Sequence, residues 1–125
     1  MNAPGIVSFS SRINPRFSVL IVYKEALNYA IVREKLTELD NSVGAILVGA
    51  NVIIMDGERI QEEGLNDFHL LAIEAHEIAH DMLGHEGERN QTHEDEADEL
   101  GIKILDLLKR KEAADLLRER MKSSR

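Results

Sequence analysis

The feature that most constrains this chain is a pair of histidines four residues apart, inside a stretch whose apolar residues recur at helical spacing. Phe68, Leu71, Ala72, Ala75, Ile78, Ala79 and Met82 form one stripe. Asn66 or Asp67 stands where an N-cap belongs and Gly84 where a helix stops, which predicts a helix running to Leu83. His76 and His80 then lie one above the other on a single helix face. Two imidazoles so placed can share one metal ion at about 2.0–2.1 Å each. Glu77 points beside that position and not at it, where it can accept a proton from water.

Two histidines do not complete a coordination sphere. A hydrolytic zinc site uses three protein ligands and an open position. The next helix supplies candidates in Glu94-Asp95-Glu96-Ala97-Asp98. Thr92 reads as its N-cap, and the acidic first turn suits the helix dipole. Ala97, Leu100, Ile104, Leu105 and Leu108 mark its apolar face. Glu94 and Glu96 both flank that face, so the helical wheel does not choose between them. The i, i+4 pairing of Glu94 with Asp98 favours Glu94: it binds metal while Asp98 accepts the free ring N–H of a ligand histidine. Glu96, His93 and His85 stay open as alternatives. Gly101, near the azimuth of Glu94, leaves room for close helix approach. His69 is about 10.5 Å along the helix from His76, too far to join.

Elsewhere the chain reads as α+β. Val43 to Val48 and Val52 to Met55 flank a Gly49-Ala50-Asn51 turn, which predicts a hairpin. Both runs are apolar on consecutive residues, so both faces need cover. Its outer strand is free to pair with an extended peptide. Ile6 to Phe9 reads as a short strand or a loose segment. Asn14-Pro15 reads as a helix start, with helix expected from there to Leu39, although Phe17 to Tyr23 is β-branched enough to be a strand. Asp40-Asn41-Ser42 ends that element, and residues 58–65 form a polar connection. A helical continuation is expected from Glu112 through Met121.

Composition narrows the class. The chain has 125 residues, enough for one domain, and no cysteine, which excludes disulfides, thiolate metal sites and cysteine nucleophiles. Residues 25–108 carry a net charge of −15, against +3 before them and +4 in 109–125. An acidic body argues against nucleic-acid binding and suits a site that holds a cation. No run is long enough for a membrane span. Met1-Asn2-Ala3-Pro4 lacks the layout of a signal peptide, so a cytoplasmic protein is expected.

The sequence His76-Glu77-Ile78-Ala79-His80, followed by Glu94-Asp95-Glu96-Ala97-Asp98 after a hairpin, resembles the gluzincin metallopeptidases. Over residues 43–108 it most resembles the ImmA/IrrE-type peptidases and is similar to the minigluzincins. The resemblance implies a minimal zincin-like fold, a small β-sheet packed on helices, in a single domain over 1–125. It implies zinc held by His76, His80 and Glu94, Glu77 as catalytic base, and Asp98 supporting a ligand. The activity implied is peptide hydrolysis by metal-activated water, with a protein or peptide as substrate. Glu86 stands where a metzincin has its third histidine. Only thirteen residues separate His80 from Glu94, and no tyrosine or histidine follows the ExxAD block to stabilise an oxyanion. His85, His93 and Arg89 are the nearby candidates for that role.

Two other readings compete. One is a zinc-binding interaction module, or a latent proenzyme plugged by its own basic segment 109–125. The other is a structural zinc closed by His85 or His93 as fourth ligand.

Overall fold

Runs of β-branched residues set the sheet. In the computed structural model, which describes residues 4–28, 30, 33–34, 43–47, 50–85 and 90–123, four strands pair in the order β1-β2-β4-β3. They are β1 (Ile6–Ser10), β2 (Ser18–Val22), β3 (Gly44–Leu47) and β4 (Val52–Asp56). β1 and β2 are antiparallel, as are β3 and β4, while the two central strands, β2 and β4, run parallel. The predicted hairpin is present as β3–β4, and Asn51 adopts the left-handed conformation (φ 54°) that its turn requires. Val48 and Gly49, which that expectation included, lie outside the described residues. Ile53, Ile54 and Met55 are buried on consecutive positions, so β4 is covered on both faces.

The first correction falls on Phe17 to Tyr23. The expected helix is a strand there, because Val19, Ile21 and Val22 pack as a central strand beside β4. Asn14-Pro15 begins no helix: Pro15 and Arg16 form a turn, closed by the Ser11 N–H donating to the Phe17 carbonyl at 2.9 Å. Lys24–Asn28 is a 3-10 turn, and Ala30, Arg33 and Glu34 are helical. Ile31, Leu36 and the remainder of that expected helix to Leu39 lie outside the described residues, as does Asp40-Asn41-Ser42.

A second correction falls on residues 58–65. Gly57–Glu62 is a short helix, α1, capped by the Asp56 carboxylate, which accepts from the backbone N–H groups of Glu58 and Arg59. Six residues with Ile60 inward are too few to show a period. A Cβ at Gly57 would sit 2.6 Å from the Tyr23 ring, so any other residue there requires that ring to shift.

The described residues gather into two units: one holds the sheet with α1, and the other holds Arg12–Asn14 and Asn66–Arg125. The second unit contains three helices, α2 (Asp67–Met82), α3 (Gln91–Leu107) and α4 (Lys111–Ser123). Its core joins Leu71, Ala72 and Ala75 of α2, Leu105 of α3, and Ala113, Ala114 and Leu117 of α4. Of the two cap positions expected for α2, Asn66 is the one used, and His69 completes a capping box with it. Phe68 and Met82, placed in the stripe, are exposed at its two ends. The cap of α3 is Asn90, not Thr92; its side chain accepts from the His93 N–H at 2.9 Å. α4 is a separate helix: Lys109 takes a left-handed φ of 59° and turns the chain, which leaves Leu108 outside the core. No glycine or proline announces that break. Among the described residues no helix is long and apolar enough to cross a membrane.

Candidate metal centre

α2 and α3 meet at Gly101. Gly101 faces the backbone of Ala75 and His76, where an added Cβ would come within 3.5 Å of both. That approach brings α3 carboxylates to the two histidines of α2. The His76 and His80 Nε2 atoms are 3.0 Å apart. Glu94 meets both, with Oε2 2.8 Å from His76 Nε2 and Oε1 3.4 Å from His80 Nε2. One ligand atom from each of the three residues lies within 4.8 Å of the other two. Both imidazoles are buried, while the Glu94 side chain is 33% exposed, so solvent reaches the cluster from its carboxylate side.

The donor set fits a zinc ion. Tetrahedral ligands at about 2.0–2.1 Å from a metal stand about 3.3 Å from one another, and the observed separations are 2.8, 3.0 and 3.4 Å. Two imidazole nitrogens 3.0 Å apart cannot both present bare lone pairs to each other. A proton or a metal ion has to lie among them. Together the HExxH helix and the glutamate helix define a zincin-like metal-binding arrangement in an α+β fold. None of the family models, curated proteins or solved structures compared with this chain matches it.

The surrounding groups are ordered. Asp98, one turn after Glu94, has Oδ1 2.8 Å from His76 Nδ1. Arg120 of α4 bonds Asp98 through Nη2 to Oδ1 and Nε to Oδ2, and its Nη2 comes within 2.8 Å of His76 Nδ1. Burial disfavours the His76 cation, but hydrogen bonds with Asp98 and Glu94 outweigh it and hold this pKa above its ordinary value. Burial likewise works against the two carboxylates. Hydrogen bonds from His76 and His80 keep Glu94 well below the usual range, and those from His76 and Arg120 keep Asp98 below it.

Glu77 is buried beside His76 on α2, at 3% exposure. Of the alternative ligands, Glu96 turns away from this cluster and reaches His85 Nε2 at 3.3 Å. His93 stacks on His85, with ring centroids 4.1 Å apart. Arg89 lies outside the described residues.

Two contacts escaped the sequence reading: that of Arg120 with Asp98, and that of His85, named there as a ligand or oxyanion candidate, with His80. Arg120 is one basic residue among several on an amphipathic helix, and no spacing links it to Asp98. His85 had a signal: it follows Gly84, whose left-handed φ of 69° folds the chain back over the last turn of α2. Its Nδ1 lies 2.9 Å from His80 Nδ1. Burial, followed by the nearby His93 and His80, holds the His85 pKa below its ordinary value.

The basic segment is no loose plug among the described residues. Ala113, Ala114 and Leu117 are core, and Arg120 meets His76 at Nδ1, on the side away from Glu94.

Proposed function

We propose that this chain is a zinc-dependent metallopeptidase of the gluzincin kind, similar to the ImmA/IrrE-type peptidases and the minigluzincins. The observation that carries the reading is the meeting of His76 Nε2, His80 Nε2 and Glu94 in one buried, one-sidedly open cluster. In this reading those three residues hold the ion. Bound zinc supplies Lewis-acid polarisation of a carbonyl and makes water more acidic. Asp98 accepts the Nδ1 proton of His76 and fixes the tautomer that leaves Nε2 free to coordinate. Arg120 holds Asp98 in turn.

Glu77 is the general base. It takes a proton from the water that adds to the scissile carbonyl carbon, then passes that proton to the amide nitrogen as the C–N bond breaks. The one-third exposure of Glu94 supports a catalytic site over a closed structural one, because it leaves a side from which a peptide can enter. Substrates are unfolded or extended protein segments.

The test is Glu77→Gln in zinc-loaded protein, with denatured casein as substrate. Zinc binding should persist, while cleavage falls by about 10²–10⁴-fold. Retained cleavage refutes the base. A parent protein that binds one zinc and cleaves nothing is instead a metal-binding module.

A further inference from the structure

We infer that His85 is a positioning residue for His80, holding its ring in one tautomer through a hydrogen bond between their Nδ1 atoms, with Glu96 orienting His85 in turn. The inference rests on the proposed coordination of metal by His80. A histidine that binds metal through one nitrogen needs an acceptor for the proton on the other. His76 has Asp98 for this. The His80 side chain is fully buried, and its Nδ1 faces His85 Nδ1 at 2.9 Å.

Proton counting sets the direction. One proton lies between two ring nitrogens at that distance. If His80 Nε2 gives its lone pair to an ion, the proton belongs to His80 Nδ1 and His85 accepts it. A neutral His85 that accepts at Nδ1 carries its own proton on Nε2. That nitrogen lies 3.3 Å from Glu96 Oε1, a matched acceptor. The chain of bonds then runs one way, from His80 through His85 to Glu96.

The backbone delivers His85 to this place. The Gly84 N–H donates to the Asp81 carbonyl at 3.1 Å, and the His85 N–H donates to the His80 carbonyl at 3.0 Å. This pair of bonds is the Schellman stop of a helix. Backbone and side chain of His85 therefore both pair with His80. Stacking on His93, at an interplanar angle of 15°, restrains the His85 ring from swinging away.

His85, His93 and Glu96 also gather ligand atoms within 4.8 Å, which raises a second cation site. The contacts favour the relay. An ion at His85 Nε2 would displace the proton that Glu96 accepts and leave His85 with none. Two stacked rings also face each other and not a common point.

Zinc affinity and stoichiometry of the full chain, measured by chelator competition, test this. His85→Ala should lower affinity about 10–100-fold. His85→Gln should recover most of the loss, because its amide oxygen can accept the same proton. Glu96→Ala should cost less than His85→Ala. In the zinc-loaded parent, long-range ¹H–¹⁵N correlations should show protons on His80 Nδ1 and His85 Nε2; this holds whether or not a variant folds. A folded His85→Ala variant within twofold of the parent, or a proton on His85 Nδ1, overturns the inference. So does a second zinc equivalent lost in both His85→Ala and His93→Ala. A parent that binds no zinc refutes the metal reading itself, and the positioning role with it, before any variant is made.

Discussion

α2 buries two polar clusters, and the chain completes them differently. At Glu74, whose side chain is fully buried, it brings its own cation. The Arg12 backbone N–H donates to Oε1 at 3.0 Å, and its guanidinium donates to Oε2 at 2.8 Å and to Asp67 at 2.5 Å. Two residues further on, at His76, it brings imidazoles to a carboxylate. Imidazoles are cations only when protonated, and they give up that proton to bind metal. The first cluster is a finished ion pair that ties residue 12 to the helix. The second joins Asp98 to Arg120, and at Glu94 it meets imidazoles, which carry positive charge as protons or accept a metal ion. Buried polarity on one helix is therefore closed by an ion pair in one place and arranged to accept a cation in the other.

Four experiments bear on this contrast. The largest effect should come from Arg12→Ala, which leaves a buried carboxylate with less compensation. Alanine keeps the backbone donor and loses the guanidinium, and unfolding in urea should show a loss of about 3 kcal/mol, while zinc affinity moves little. A loss below about 1 kcal/mol would mean that the clamp does not carry stability. Next, zinc at a hundred times its Kd should add about 2.7 kcal/mol to the parent, seen as a rise in Tm, and His80→Ala should abolish the increment. An unchanged Tm in the parent would erase the contrast.

A smaller effect is expected at Gly101. An alanine Cβ there would stand 2.9 Å from Leu117 Cδ1, the mobile end of a side chain. The strain of about 1 kcal/mol is offset by the better helix propensity of alanine, also about 1 kcal/mol. Gly101→Ala should therefore stay within about 1 kcal/mol of the parent; a larger loss would show that Leu117 of α4 cannot give way against α3. The smallest effect belongs to the exposed pair on α4. The hydrogen bond from Arg118 lowers the Asp115 pKa from its ordinary 3.8, with Lys111 adding to it. A lowered carboxylate adds stability above its unfolded value, and that stability is lost as pH falls through the folded one. An NMR titration should place Asp115 below 3.8, and Asp115→Asn should change stability at pH 7 but not at pH 2. Equal effects at both pH values would assign Asp115 another role.

Legibility followed the range of the interaction. The His76–His80 pair was readable because four residues of helix place both rings on one face. The β3–β4 hairpin was readable from two apolar runs and a short turn. Glu94 could not be separated from Glu96 on a helical wheel, since both flank the apolar stripe; the packing of α3 on α2 separated them. Phe17 to Tyr23 was ambiguous for a related reason. Its residues suit a strand, but pairing with β4, more than thirty positions away in sequence, selects one.

What the sequence alone determined is what neighbours within about one helical turn decide: the helix that carries His76 and His80, its start at Asn66 or Asp67 and stop at Gly84, and the acidic start of α3. Tertiary structure decided the rest: which carboxylate meets the histidines, that Lys109 splits the last helix, that Arg12 neutralises Glu74, and that His85 lies against His80. Those outcomes depend on groups brought together across long stretches of chain, and their energies exist only once the helices have packed.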